Sequence, residues 1–412
     1  MASALLSRNR NFRLLLSASA ASNLGDGVAA LAFPWLATLL TRDPLHIALV
    51  AFAGQVPWFL FALPAGVLID RADRRMVIVR ADLIRLLLSL CAVALVTMGM
   101  GQEGMIFALA ALAFLLGTAE VFRDNAAQTF LPSIVDKPDL ERANGQLWSV
   151  EQIMGAFVGP PLAGLLIAFA VPAPFAFDAL MFALSALGIW CILPRASDVP
   201  RAARDRFVTE FIGGLRWLRA HALILRLALM LGCLNAMSAM AMTVLVLYSQ
   251  EVLGLDAVGH GLLLTLGAAG GVVGGVLCPL LAARIGPRAS LLLALALMPV
   301  PLVLLAVTSS PILAGLALFL EMAAALLWNV VTVSYRQRVI PDALLGRVNS
   351  IYRFFGWGTI PLGALAAGFV VTWAEPGMGR EAALRLPFWM GATGLAAMFV
   401  LGVAILRFPK EK

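Results

Sequence analysis

The stretch MIFALAALAFLLGTAEVFRDNAAQTFL, residues 105–131, decides how this chain is read. It exceeds the ~20 apolar residues that a helix needs to cross a bilayer, yet Glu120, Arg123, Asp124 and Gln128 interrupt its second half. A charge at bilayer depth costs on the order of several kcal/mol, so charges there belong by default to a polar pathway through a membrane protein. The alternative is a buried pair that only joins helices. Spacing favours the pathway, because i, i+3, i+4 and i+8 put all four residues on one helical face. Asp26 breaks the run from Phe12 to Leu40 in the same way, on a stripe with Ser19 and Asn23. Asn144, Trp148, Glu151 and Gly155 form a third stripe in the run from Ala143 to Val171.

Outward from this segment the composition agrees. Hydrophobic residues make up 61% of the 412, charged residues 13%, and the mean hydropathy is +0.94; a water-soluble domain needs far less apolar surface. Apolar runs between polar breaks, from Phe12–Leu40 to Leu386–Leu406, predict an all-α membrane protein with twelve transmembrane helices. The 30 Lys and Arg test that topology. Arg42, Arg380 and Arg385 fall in loops on one side and Arg123 within a span, while all the others, Arg80 and Arg85 among them, gather on the opposite side. Cytoplasmic loops retain basic residues, so both termini are expected in the cytoplasm. The net charge of +7 then needs no nucleic acid. Scarce lysine beside abundant arginine and alanine points to a GC-rich bacterial genome, hence to the bacterial cytoplasmic membrane.

Several functions fail on the residues present. The apolar part of the first span before Ser17–Ser22 is too short for a cleaved signal peptide, and an uncleaved helix is expected. Cys91, Cys191, Cys233 and Cys278 are scattered singly, with no disulfide or metal pattern. No lysine follows a glycine as a phosphate-binding loop requires, which argues against an ATP-driven pump. His46, His221 and His260 lie far apart and no HExxH occurs, so neither an enzyme nor a metal or cofactor site is expected.

An internal repeat pairs the two ends of the chain. Gln128-Thr129-Phe130-Leu131-Pro132 closes the fourth span and Gln337-Arg338-Val339-Ile340-Pro341 the tenth, followed by Arg142-Ala143-Asn144 and Arg347-Val348-Asn349. In that alignment Glu120 matches Asn329, which confines the acidic stripe to the first half. The organisation expected is a six-helix bundle over residues 1–193, a cytoplasmic linker over 194–221 and a second six-helix bundle over 222–412. Two pseudo-symmetric bundles with a site between them at mid-membrane is a transporter plan.

With these residues in view the chain resembles the major facilitator superfamily over essentially its whole length. Gly66-Val67-Leu68-Ile69-Asp70-Arg71-Ala72-Asp73-Arg74-Arg75 is similar to the family's loop motif G-x-L-x-D-R-x-G-R-R, with Asp73 where glycine is usual. Asn23-Leu24-Gly25-Asp26, Trp328-Asn329, Arg336-Gln337-Arg338 and Gly346 to Ser350 resemble the drug and siderophore exporter branch that includes macrolide and enterobactin efflux proteins. Gly155-x-x-x-Gly159-Pro160-Pro161-Leu162-Ala163-Gly164 resembles the antiporter motif G-x-x-x-G-P-x-x-G-G. The resemblance implies that Asp70 holds an inner gate shut against the start of the eleventh span, with Gly66, Arg71, Arg74, Arg75 and Arg347 in the same machinery. It also implies that Gly155, Gly159 and Pro160 form a hinge or seal. Arg71, Arg74 and Arg75 also serve as topology markers, a role that suffices for Arg75.

Roles for the polar path follow from charge pairing. Arg123 neutralises one neighbouring carboxylate, most simply Asp124, and an acid without such a partner is suited to carry a proton. Asp26 leads, followed by Glu151 and Glu120; Glu321 is weaker, and Asp178 reads as an interfacial cap. A cleft for amphipathic molecules needs apolar walls with a few polar groups, which Asn23, Gln55, Trp58, Gln128, Asn235, Trp328 and Asn329 supply. Small residues Gly267, Gly271 and Gly275 in the eighth span read as packing. The expected function is proton-coupled efflux of small amphipathic, drug-like molecules by alternating access, with substrate, protons and membrane lipids as the partners of a functional monomer. A dedicated siderophore or metabolite exporter is the alternative, and an importer or non-transporting receptor comes after it.

Overall fold

The computed structural model describes residues 3–98, 102–193 and 207–406. Among them there is helix and no strand, as expected where no water is present to satisfy the backbone groups that an open strand or loop would leave unpaired. Among the described residues, twelve helices are long and apolar enough to cross a membrane. We number the spans α1 (Arg10–Leu40), α2 (Pro44–Arg71), α3 (Arg74–Met98), α4 (Gln102–Phe130), α5 (Leu140–Glu151, Gln152–Val158 and Gly159–Phe169) and α6 (Ala173–Trp190). They continue as α7 (Ala222–Glu251), α8 (Ala257–Ile285), α9 (Pro287–Leu297 and Pro299–Val307), α10 (Pro311–Val339), α11 (Asp342–Trp357 and Ile360–Met378) and α12 (Arg380–Ile405). A further helix, Phe207–Ala220, lies in the segment expected to link the halves; residues 194–206 lie outside the described residues.

Glycine and proline set the joints. Pro299 divides α9, since proline starts a helix readily but cannot donate within one. In α5 the middle segment is a π-helix, where the Gly159 N–H bonds the Met154 carbonyl. The cause follows directly: Pro160 and Pro161 supply no N–H and their rings press on the carbonyls one turn back, so the ladder widens before them. Against this segment α1 passes at glycine distance. A Cβ on Gly27 would lie 2.2 Å from the Gly155 carbonyl oxygen, and one on Gly159 would lie 2.6 Å from the Gly27 Cα.

Two compact units emerge: Met1–Thr41, Ala53–Ala203 and Ala257–Leu262 form the first, and Arg42–Phe52, Arg204–Asp256 and Leu263–Lys412 the second. In the first, Phe12, Leu15, Ile69, Ile78, Phe130, Leu131, Ala143 and Ile189 close an apolar cluster where α1, α3 and α5 begin and α2, α4 and α6 end. Helix α3 shows how the unit is built. Its buried face carries Ile78, Asp82, Arg85 and Ser89, with Asp82 0% and Arg85 2% exposed, while Leu83, Ile84, Leu87 and Leu90 are 44–60% exposed. This is the reverse of a water-soluble helix, and it places polar side chains inside and apolar ones where lipid would lie.

In the second unit the glycine stripe of α8 packs against α10. A Cβ on Gly270 would lie 2.0 Å from the Phe319 carbonyl oxygen, and Gly267, Gly271 and Gly274 face Leu318, Met322 and Ala323. Arg385 of α12 donates to the carbonyls of Ala306 and Thr308, tying the end of α9 to the start of α12. Arg380 donates to Glu251 and Glu375 and to the Arg42 carbonyl, joining three distant stretches of chain.

Candidate functional site

Three helices of the first unit place charged side chains in one buried string, and a fourth adds a serine. On α3, Asp82 and Arg85 are three residues apart and share a face. Arg85 Nη1 donates to Ser22 Oγ on α1 at 3.0 Å, and its Nη2 is hydrogen-bonded to Asp26, one turn further along α1. The same Nη1 lies 3.6 Å from Asp82 Oδ1. Asp82 Oδ2 accepts from Ser185 Oγ of α6 at 2.6 Å, and Oδ1 lies 3.8 Å from Arg123 Nε on α4. Arg123 Nη1 in turn donates to Asp124 Oδ1 at 3.0 Å. The order is Asp26, Arg85, Asp82, Arg123, Asp124. Exposure gives it direction: the end acids are 24% and 30% accessible at the side chain, whereas the three central groups are sealed at 0–4%.

The string is not fully satisfied. Asp82 Oδ1, Arg85 Nε, and Arg123 Nε and Nη2 are buried without a hydrogen-bond partner. Buried polar atoms are ordinarily paired, so a set left open in one place is unusual. The Arg85 guanidinium lies over the Phe182 ring of α6, 3.9 Å from its centroid, a cation–π contact that offsets part of its desolvation. Glu120 stands within electrostatic reach of Arg85, Arg123, Asp124 and Glu151, which brings the α4 stripe and the first segment of α5 toward a common region. Glu151 itself is exposed.

Three readings of the sequence are corrected here. Asp26 is no acid without an arginine partner, because Arg85 is bonded to it. Arg85 is no loop charge marking topology: eleven residues into α3, it is 2% exposed and bonded to α1. Asp178 is no interfacial cap: it is 1% exposed, and both its carboxylate oxygens are buried without a hydrogen-bond partner. Asp82 was missed outright. Its signal was present, since an acid followed at three and seven residues by Arg85 and Ser89 in an apolar run makes the same kind of stripe as Glu120 and Arg123.

The other expected site residues are distributed. Asn23 donates its amide to the Ser19 carbonyl on its own helix, and Trp58 packs against the apolar cluster of the first unit. Gln55 and Gln128 are exposed. In the second unit Asn235 donates to the Gly356 carbonyl at 2.8 Å, Trp328 is 2% exposed with its indole N–H unpaired, Asn329 is exposed, and Glu321 accepts from Ser238 at 2.7 Å. Of the loop motif, Arg74 donates to the Thr129 carbonyl at the end of α4. Arg75 donates to the Ile189 and Trp190 carbonyls at the end of α6, and its guanidinium lies over the Trp190 ring. Both arginines therefore cap helix C-termini, where the last carbonyls lack partners. A Cβ on Gly66 would meet nothing within 4 Å. The side chains of Asp70, Arg71 and Arg347 lie outside the described residues.

A family model described as transmembrane secretion effector matches residues 3–409. The chain belongs to the transmembrane secretion effector family. Among similar proteins, the multidrug efflux pump Tap of Mycolicibacterium fortuitum is 32% identical over 160 residues, 38% of each chain. Macrolide efflux protein A of Streptococcus pyogenes is 22% identical over 212 residues, 51% of each chain. The chain thus spans 38% and 51% of the length of these relatives. Among solved structures, a bacterial homologue of the iron transporter ferroportin in an inward-facing state aligns with a TM-score of 0.74 at 18% identity, over 96% of this chain and 98% of that one. The nucleoside transporter NupG aligns with a TM-score of 0.72 at 13% identity, over 98% and 100%. This transmembrane secretion effector has the major facilitator fold, and it is a multi-pass membrane protein.

Proposed function

We propose that this secretion effector exports small amphipathic molecules across the bacterial cytoplasmic membrane in exchange for protons, by alternating access between two six-helix halves, residues 1–193 and 222–412. The observation that carries the reading is the string from Asp26 to Asp124, with accessible acids at its ends and two buried arginines flanking the one sealed acid, Asp82. An acid paired with a buried arginine gains a proton only by releasing that arginine, and the released cation must find another partner. Protonation is thereby tied to rearrangement of the helices that carry the charges. Coupling requires that proton and substrate each prefer one of two states, and the string offers the proton such a preference.

Asp26 is the proton-carrying acid in this scheme, Glu120 and Glu151 are accessory, and Arg123 and Asp124 hold the far end of the string. Asn23, Gln55, Trp58, Gln128, Asn235, Trp328 and Asn329 contribute to substrate contact. Asp70, Gly66, Arg71, Arg74, Arg75 and Arg347 serve the cytoplasmic gate, and Gly155, Gly159 and Pro160 its hinge or seal. Both termini are cytoplasmic and the working unit is a monomer. Similarity to multidrug and macrolide efflux proteins supports export of drug-like compounds.

The test is the purified chain in proteoliposomes, with an imposed pH gradient and a chemically diverse substrate panel. Substrate movement opposite to proton flow is the expected result, and Asp26→Asn should reduce it to the level of empty liposomes. Substrate moving with the protons would make the protein an importer, and transport indifferent to the gradient would remove proton coupling altogether.

A further inference from the structure

Asp178 is a buried acid that stands outside the string. It lies on α6 one turn before Phe182, whose ring carries the Arg85 guanidinium, and seven residues before Ser185, which donates to Asp82. Its side chain is 1% exposed and neither oxygen has a partner. Helices α1, α3 and the last segment of α5 pack against α6. The charged groups they present are Asp26 from α1 and Asp82 and Arg85 from α3, with Arg75 of α3 at the far end of α6 on the Ile189 and Trp190 carbonyls, while Gly159–Phe169 holds no titratable side chain. Arg123, Asp124 and Glu120 lie beyond α3 on α4, and His260 stands beside Trp35 of α1. The charge that reaches Asp178 is that of Arg85, whose Nη atoms serve Ser22 and Asp26 and whose Nε is free of a partner.

A buried carboxylate with no donor is far costlier than a neutral carboxyl group in the same place. We propose that Asp178 is a second proton site: it holds a proton in the state described here, and it is the alternative partner to which Arg85 transfers from Asp26. In the transfer the Asp178 O–H bond breaks and its proton leaves to water as hydronium. The Asp178 carboxylate takes the guanidinium, and the freed Asp26 carboxylate takes a proton from hydronium on its own side, leaving water. One proton enters and one leaves, so the charge of the cluster is unchanged while Arg85 exchanges α1 for α6. The consequence for transport rests on the proton-coupled reading above; the proton on Asp178 does not.

Infrared difference spectroscopy on the full chain in lipid nanodiscs at neutral pH separates the two. Wild type minus Asp178→Asn should show one carboxylic-acid C=O equivalent, and Asp178→Glu should restore it, which also shows that the site still folds. In an Asp26→Asn background Arg85 is free to pair with Asp178, so adding Asp178→Asn should remove no further carboxylic acid. An unchanged spectrum in Asp178→Asn overturns the proton site. A full carboxylic-acid equivalent still lost on adding Asp178→Asn to Asp26→Asn overturns the exchange. If both spectra behave as expected and no pH-driven transport is found, the inference stands and the efflux reading falls; proton-driven transport with neither spectral change gives the reverse.

Discussion

At the scale of single residues, Arg85 is the side chain on which most depends. It is buried, touches Ser22, Asp26 and Asp82, and rests on Phe182. Removing one member of a buried ion pair leaves the other charged and unpaired, at about 3–5 kcal/mol. Arg85→Ala should therefore lower unfolding stability in mild detergent by about that amount. Arg85→Lys keeps the charge but lacks the planar fork that reaches Ser22 and Asp26 together, so it should fall between. Equal stability of Arg85→Ala and wild type would mean that the string contributes nothing to the fold. The legibility of this region differed residue by residue. Asp26, Glu120, Arg123 and Asp124 announce themselves as charges within apolar runs. Asp82 and Arg85 do so too, but nearness to a basic loop made Arg85 resemble a topology marker, and its pairing across to α1 is a long-range fact that no local spacing carries.

At the scale of elements, the crossing of α1 with α5 separates two glycines that the antiporter-like motif treats alike. A Cβ on Gly159 would meet the Gly27 backbone at 2.6 Å, whereas one on Gly155 meets only the Asn23 carbonyl oxygen at 3.5 Å, an ordinary contact. Gly159→Ala should destabilise by about 1–3 kcal/mol through overpacking, and Gly155→Ala should be tolerated by comparison; thermal unfolding of the two variants compares them directly. The reverse ranking would show that the π-turn, and not contact with α1, is what requires glycine. Arg75 belongs to this scale as well. Its caps on the Ile189 and Trp190 carbonyls close the end of α6, and Arg75→Ala should cost about 0.5–1.5 kcal/mol of stability. A transport defect with unchanged stability would instead favour a part in the gate.

At the scale of the whole molecule, ion pairs tie stretches that are remote in sequence. Arg380 links Glu251 and Glu375, with side-chain exposures of 27%, 24% and 38%. Charges so accessible are screened, so Arg380→Ala should cost about 1 kcal/mol or less, and the difference should shrink in high salt when unfolding is repeated there. A large, salt-independent loss would mark this cluster as a closed contact. For the transport cycle, Asp70→Asn should slow turnover at saturating substrate while leaving substrate affinity unchanged; a pure loss of affinity would contradict a gating role.

Hydropathy and the placement of charges determined, from the sequence alone, that this is a membrane protein of twelve helices with a polar stripe in its first half, because lipid tolerates few other backbone conformations and few unpaired charges. The partners of those charges were decided only by tertiary structure. Asp26 joins Arg85, Arg123 stands between Asp82 and Asp124, and Asp178 is left without a hydrogen bond, because which faces meet depends on how helices pack at glycines and prolines tens of residues away. Periodicity tells which residues share a face; it carries no information about the face opposite.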